Sequence, residues 1–199
     1  MSDYNTVQKG VSAFWRQKYE INASRYWHEF YVRNGTKFFK DRHWLLEESS
    51  DGFPCLASKE GRTVVEAGCG VANAAFPLLR ANLSLRLYAF DFAKSAVDLV
   101  RNQEEFNAEQ LTAFIWDFAR EELINVPEAE RGGLASSSSA DYVLCLYVLS
   151  AVPPELQNIA MKRLSRLLRP GGQILFRDYC VADLAASRFK ARSKILDNY

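Results

Sequence analysis

Glu66-Ala67-Gly68-Cys69-Gly70-Val71-Ala72-Asn73 follows the β-branched run Thr63-Val64-Val65 and leads into a helix-forming stretch, Ala74 to Arg80. That order reads as strand, glycine turn and helix. Gly68 and Gly70 let the chain bend sharply and let a ligand approach bare backbone. Glu66 at the strand end would repel a phosphate but suits a ligand carrying positive charge. The motif therefore favours a cationic ligand such as S-adenosylmethionine over a dinucleotide. Asp91, 25 positions after Glu66, sits where a carboxylate can accept both hydroxyls of a ribose. Asp117 with Phe118 can take an adenine, the carboxylate accepting its amino group and the ring covering the base. Each residue also has a plain structural reading. The glycines can be a tight turn, and both aspartates can cap the segments that follow them.

The elements that must position these residues alternate. Leu85 to Phe90 reads as a second strand ending at Asp91, and Ala93 to Asn102 as a helix. Leu111 to Trp116 is a third strand and Tyr142 to Val148 an apolar fourth, as expected of a central parallel strand. Between them, Arg131 to Ala140 is a Gly/Ser loop. Pro154 to Leu168 reads as a helix stopped by Arg169-Pro170-Gly171-Gly172. Gln173 to Tyr179 is a fifth strand, and Asp183 to Leu196 a last, basic helix. Strand–helix alternation with short links argues for an α/β fold, a parallel sheet covered by helices on both faces. Ligands of such sheets sit beyond the carboxyl ends of the strands. Glu66, Gly68, Asp91, Asp117 and Tyr147 all fall at or near those ends.

Composition sets the frame. The 199 residues suffice for one domain with a real core, and 48% hydrophobic with 25% charged residues is ordinary for a globular chain. No apolar run approaches the roughly 20 residues of a membrane span. Met1-Ser2-Asp3-Tyr4 opens no signal peptide. Cys55, Cys69, Cys145 and Cys180 form no Cys-x-x-Cys pair, so no metal site is expected, and free thiols imply a reducing compartment, the cytoplasm. The net charge of +1 hides an asymmetry: residues 1–46 hold eight Lys/Arg against four Asp/Glu, and residues 162–199 hold nine against three. Two basic ends around an acidic centre can form a basic rim suited to a polyanion such as RNA, or can simply solvate helix faces.

The first 46 residues hold the second set of candidates. Asn22 to Arg33 reads as a helix closed by Asn34-Gly35, with Trp27 and Tyr31 sharing a face. These two rings can lid a cofactor or pack as core. The segment Lys37-Phe38-Phe39-Lys40-Asp41-Arg42-His43-Trp44 interleaves cations with aromatics. Cations hold phosphates and aromatics stack unpaired bases. The alternative is a connector anchored by its rings, with His43 structural.

Three blocks together resemble the tRNA N3-methylcytidine methyltransferases. The first comprises Phe14-Trp15, Tyr26-Trp27-His28-Glu29-Phe30-Tyr31 and Lys37-Phe38-Phe39-Lys40-Asp41-Arg42-His43-Trp44-Leu45. The second is the glycine loop with Phe76-Pro77. The third comprises Tyr147-Val148-Leu149-Ser150-Ala151, Leu168-Arg169-Pro170-Gly171-Gly172, Phe176-Arg177-Asp178-Tyr179 and Arg188-Phe189-Lys190. The resemblance implies a class I, Rossmann-like methyltransferase domain over residues 47–199. It is preceded by an N-terminal helical, RNA-binding extension over 1–46. Trp27 and Tyr31 match positions that enclose S-adenosylmethionine, and Gly68, Asp91, Asp117 and Leu146 match other cofactor contacts. Phe38 to Trp44 match a segment implicated in holding the RNA and the target base. The implied partners are tRNA and, as an accessory, a tRNA synthetase. Two departures stand out. Ala72 replaces a glycine, and the chain ends at Asp197-Asn198-Tyr199, where the family continues into the final strands of the sheet.

The implied chemistry is methyl transfer to cytidine N3 in the anticodon loop. That nitrogen is neutral near pH 7 and needs no covalent enzyme nucleophile, but it must be unpaired. Methylation leaves a cationic base. Asp178, just after the fifth strand, is the candidate catalytic carboxylate to stabilise it. No Asn-Pro-Pro-Tyr or Asp-Pro-Pro-Tyr follows the fourth strand, which disfavours adenine-amine methylation, and Pro54-Cys55 is misplaced for cytosine C5 chemistry. Two alternatives stay open: a class I methyltransferase acting on a small molecule or protein, and a shortened, non-catalytic cofactor- or RNA-binding module.

Overall fold

Val64 and Val65 of β1 (Thr63–Ala67) point to opposite faces of the sheet, as alternate strand residues must, and both are fully buried. A strand buried on both faces belongs at the centre of a parallel sheet. In the computed structural model, which describes residues 12–47, 52–134 and 139–180, β1 is the middle strand. It lies between β2 (Arg86–Asp91) and β4 (Ala140–Leu146). β3 (Leu111–Ile115) flanks β2, and β5 (Leu168–Arg177) flanks β4, giving the order β3-β2-β1-β4-β5 with every pair parallel. The strand order reverses direction at β1, so the carboxyl ends of β1 and β4 border the crevice where ligands of open α/β sheets bind.

One face of the sheet packs Val64, Leu87, Leu111 and Leu144 against α3 (Ala75–Ala81) and α4 (Lys94–Arg101). Leu45 and Leu56, from the connector that precedes β1, complete this layer. The other face packs Val65, Phe90, Phe114, Val143 and Cys145 against α6 (Pro154–Leu167) through Ala160, Leu164 and Leu167. A short helix, α5 (Glu128–Arg131), lies between β3 and β4 in the chain. The α/β architecture is the one expected from the alternation.

Several boundaries moved. β4 begins at Ala140 and ends at Leu146, short of the expected Val148, because Tyr147 adopts φ 57° and a left-handed residue cannot continue a strand. β5 begins at Leu168, directly on leaving α6. Leu168 pairs with Ala140 and Gln173 with Tyr142, and the irregularity between them absorbs Arg169 to Gly172. The Pro-Gly-Gly stretch thus ends the helix as expected but lies inside the strand. Among the described residues β5 pairs only with β4, and Phe176 on it is half exposed. The expected helix from Asp183 to Leu196, the Arg188-Phe189-Lys190 block and most of the Ser136 to Ser139 patch lie outside the described residues.

Among the described residues two α-helices precede the sheet. α2 (Ala23–Asn34) is one residue shifted from expectation and stops at Gly35, whose φ of 56° lets its N–H reach the Tyr31 carbonyl at 2.9 Å. α1 (Ala13–Ile21) was not foreseen. It contains no glycine or proline and is closed by Asn22, whose side-chain amide donates to the Lys18 carbonyl at 2.8 Å. α2 packs on α4, joined by Ser95 Oγ donating to the His28 carbonyl at 3.1 Å.

Ala72 is fully buried with φ 64°, the conformation that the expected glycine would adopt freely. A left-handed alanine costs ~1–2 kcal/mol. Glycine there would remove a buried methyl worth ~0.8 kcal/mol and add ~0.5–1 kcal/mol of backbone freedom. These effects nearly cancel, so Ala72→Gly is expected to change stability by less than ~1 kcal/mol. Ala72→Val, β-branched in a closed space at positive φ, is expected to lose ~3 kcal/mol or more. Chemical denaturation of the two variants checks both, and a valine variant as stable as the parent would refute the assigned loop conformation.

Candidate active site

Gly68 and Gly70 take φ 57° and 54° and are hemmed in from two sides. A Cβ on Gly68 would lie 2.1 Å from Val148 Cγ2, and one on Gly70 would lie 2.6 Å from the Tyr31 hydroxyl. The glycine turn is therefore pressed between the segment after β4 and helix α2, and no larger residue fits at either position. Cys69 N–H donates to the Phe90 carbonyl at 2.9 Å. Burial keeps the Cys69 thiol well above its ordinary range, so it stays protonated and is no nucleophile.

Asp91, at the end of β2, is 5% exposed. One carboxylate oxygen accepts the Gly70 N–H at 3.0 Å and the other the Ala93 N–H at 2.9 Å. Burial pushes its pKa up to about 6, although these N–H groups pull the other way. Glu66 Oε2 accepts the Ala75 N–H at 3.0 Å, at the start of α3. Burial pushes Glu66 up to about 8, against the pull of that N–H group and of the Arg42 charge. Two carboxyls held out of water beside a glycine turn ionise more readily when a cation arrives, which favours a positively charged ligand there. Tyr31 is buried against them, its hydroxyl pushed well up by burial and then by Asp91, Cys69 and Glu66. It stays neutral and stacks on Trp27 at 5.9 Å.

The far side is aromatic. Phe118 is buried against Phe90 at 5.6 Å and Trp116 at 6.2 Å. Asp117 accepts the Ala119 and Arg120 N–H groups at 3.1 and 3.2 Å and pairs with the Arg120 guanidinium at 3.1 Å, so it does cap the turn after β3. Together these elements enclose a cavity of about 870 Å³ at the carboxyl ends of the strands. All nine expected cofactor residues line it: Trp27, Tyr31, Glu66, Gly68, Gly70, Asp91, Asp117, Phe118 and Leu146.

The expected RNA segment divides. Phe39 and Arg42 line the cavity. Arg42 donates its backbone N–H to the Asn73 carbonyl at 2.7 Å, and its guanidinium lies over the rings of Phe39 (5.8 Å) and Tyr147 (5.2 Å). Lys37, Phe38, Lys40 and His43 are exposed and lie outside the lining, Phe38 leaning on Phe39 at 4.7 Å. Trp44 also lies outside it. The Arg177 guanidinium covers its ring at 4.4 Å and it packs against the core, the role of an anchor. Asp178 does not line the cavity either. Its carboxylate accepts the Ser150 N–H at 2.9 Å and the Tyr179 N–H at 2.8 Å, fixing the turn after β4. Sequence reasoning passed over Asn73, whose side chain donates to the Phe39 carbonyl and to Asp41, and gave Tyr147 no role. Tyr147's place near the carboxyl end of the fourth strand was legible, but not the backbone angle that brings its ring to the cavity. Among the described residues no cluster of three His, Cys, Asp or Glu is placed to hold a metal ion, and no helix is long and apolar enough to cross a membrane.

Residues 65–174, from β1 to β5, match the family model described as a methyltransferase domain. The chain is 43% identical over 191 residues to the mouse tRNA N(3)-cytidine methyltransferase METTL6, covering 95% of this chain and 64% of that protein. It is 37% identical over 182 residues to the Schizosaccharomyces pombe tRNA N(3)-methylcytidine methyltransferase trm141, covering 90% and 68%. The chain thus spans about two-thirds of the length of these curated relatives. Among solved structures, the PH0226 protein from Pyrococcus horikoshii aligns with a TM-score of 0.53 at 18% identity, over 73% of this chain and 63% of that one. The glycopeptide N-methyltransferase MtfA, complexed with S-adenosylmethionine, aligns at 0.51 and 17%, over 69% and 54%. These two likenesses concern the fold alone. With the sequence blocks, the relatives and the sheet in agreement, the chain belongs to the tRNA N3-methylcytidine methyltransferase family.

Proposed function

We propose that this protein transfers a methyl group from S-adenosylmethionine to N3 of a cytidine in the tRNA anticodon loop. The observation that carries the proposal is the family identity over nine-tenths or more of the chain, joined to a cavity whose lining fits that cofactor. Glu66 would face the positively charged end, Asp91 the ribose hydroxyls, and Asp117 with Phe118 the adenine. Trp27 and Tyr31 would close over it. When bound, S-adenosylmethionine supplies a methyl already activated on a sulfonium, so the protein's task is alignment. Phe39 and Arg42 would receive the unpaired base at the cavity wall, while the exposed Lys37, Phe38, Lys40 and His43 meet the surrounding RNA and Trp44 anchors the segment. Asp178 would act as a positioning residue through Ser150 and the turn that carries Tyr147. A tRNA synthetase is the proposed accessory partner and the cytoplasm the proposed location.

Incubation with methyl-labelled S-adenosylmethionine and total tRNA is expected to place label in 3-methylcytidine after nuclease digestion. Retained cofactor and tRNA binding without any labelled product would assign the chain a binding role instead. Asp91→Asn is expected to weaken S-adenosylmethionine binding about tenfold or more by calorimetry, and an unchanged affinity would detach Asp91 from the ribose.

The buried carboxyls also set a pH dependence. Folding raises Glu66 to about 8 and Asp91 to about 6. The unfolded chain ionises both near ~4. The folded state therefore binds more protons between those limits, and stability of the ligand-free protein is expected to fall as pH rises from ~4 towards 8. A cationic ligand favours ionised Glu66, so S-adenosylmethionine should bind more tightly at pH 8 than at pH 6, with proton release. Calorimetry in buffers of different ionisation enthalpy reads that release, and Glu66→Gln should abolish it. PH-independent affinity in the parent would show that the ligand does not sense Glu66.

A further inference from the structure

Tyr147 is a bulky residue at φ 57°, a conformation that such residues almost never adopt without an external constraint. The constraints are visible. Its N–H donates to the Arg177 carbonyl at 2.8 Å, Ala151 N–H closes the following turn on the Val148 carbonyl at 3.0 Å, and Asp178 holds Ser150. The conformation has a consequence for the side chain. Along β4, Val143 and Cys145 belong to the α6 face, and Leu144 and Leu146 pack towards the α3 face. Had the strand continued, residue 147 would have joined the α6 face. The left-handed turn instead delivers its ring to the cavity wall, 5.1 Å from the ring of Tyr179. That ring holds a planar cation, the Arg42 guanidinium at 5.2 Å, so a cationic base takes the place of the guanidinium or the ring's other face.

We propose that Tyr147, with Tyr179 beside it, forms a subsite for the cationic, N3-methylated cytosine. This rests on the methyltransferase reading. In the transfer, the N3 lone pair forms the new N–C bond and the S–C bond breaks with its electrons left on sulfur. The positive charge passes from sulfonium to base, and no proton moves. An electron-rich ring at the acceptor end binds the base more strongly as it becomes cationic, so its attraction grows along the reaction coordinate and lowers the barrier. Asp178, the carboxylate expected from the sequence to meet this charge, is engaged by two backbone N–H groups.

The test uses the full chain with S-adenosylhomocysteine and a fluorescent anticodon-loop RNA bearing either cytidine or 3-methylcytidine at the same position. The parent is expected to bind the methylated probe about tenfold more tightly. Tyr147→Phe should keep that preference. Tyr147→Leu should erase it and lower kcat about tenfold, with the KM for tRNA and the affinity for S-adenosylhomocysteine within twofold. Tyr147→Asn, which tolerates left-handed backbone, should fold and also lose the preference. A parent without preference, or a leucine variant that retains it, overturns the proposal. Methyl transfer by a parent that shows no preference would remove the subsite and leave the methyltransferase reading intact. A preference in a parent without turnover would do the reverse.

Discussion

The buried carboxylate of Asp91 is the interaction on which the site depends. Each of its oxygens takes one backbone N–H, Gly70 in the turn after β1 and Ala93 at the entrance to α4. These groups belong to two separate β–α links, and beside them the Cys69 N–H bond to the Phe90 carbonyl ties the glycine turn to β2. A charged or protonated carboxyl removed from water is costly unless its oxygens are occupied. Asp91 meets that requirement with donors that themselves have no helical partner. The same bonds fix the glycine turn against β2, and the turn in turn sets the wall against which Tyr31 and Val148 close.

Around that fixed point the cavity has two chemically different ends. The end beside β1 and β2 is a pair of desolvated carboxyls under a Tyr31–Trp27 lid. The end beyond β4 is built of rings and a guanidinium, contributed by the N-terminal segment, the β4 turn and the residues after β5. The sheet supplies the first end almost alone, whereas the second requires three distant parts of the chain to meet. This division explains what could be read in the sequence. Strand–glycine turn–helix order and acids at strand ends are local patterns, and they led to Glu66, Gly68, Gly70, Asp91, Asp117 and Phe118, whereas the cofactor roles expected of Trp27, Tyr31 and Leu146 came from the family resemblance.

The sequence pattern did not reveal what a backbone angle or a remote partner decides. The run Tyr142 to Val148 is uniformly apolar, so nothing in it marks Tyr147 as the left-handed residue that ends β4. Trp44 sits among cations in a segment that looks made for RNA, yet a guanidinium from the far end of the sheet covers its ring. Asp178 has the right chemistry and the right strand end, but its neighbours are backbone N–H groups that only the folded turn presents. Ala72 is the converse case. Its departure from glycine was visible, while the positive φ that gives the departure meaning was not.

The bond from Arg42 N–H to the Asn73 carbonyl, with the Asn73 amide reaching back to Phe39 and Asp41, stitches the basic-aromatic segment onto the glycine turn. The two ligands proposed for this protein therefore share a wall. Under thermodynamic linkage, whatever factor one ligand gains from finding that wall already ordered, the other gains equally. Cooperativity between small molecule and nucleic acid would then need no moving domain, and Asn73 would be the residue through which it is transmitted.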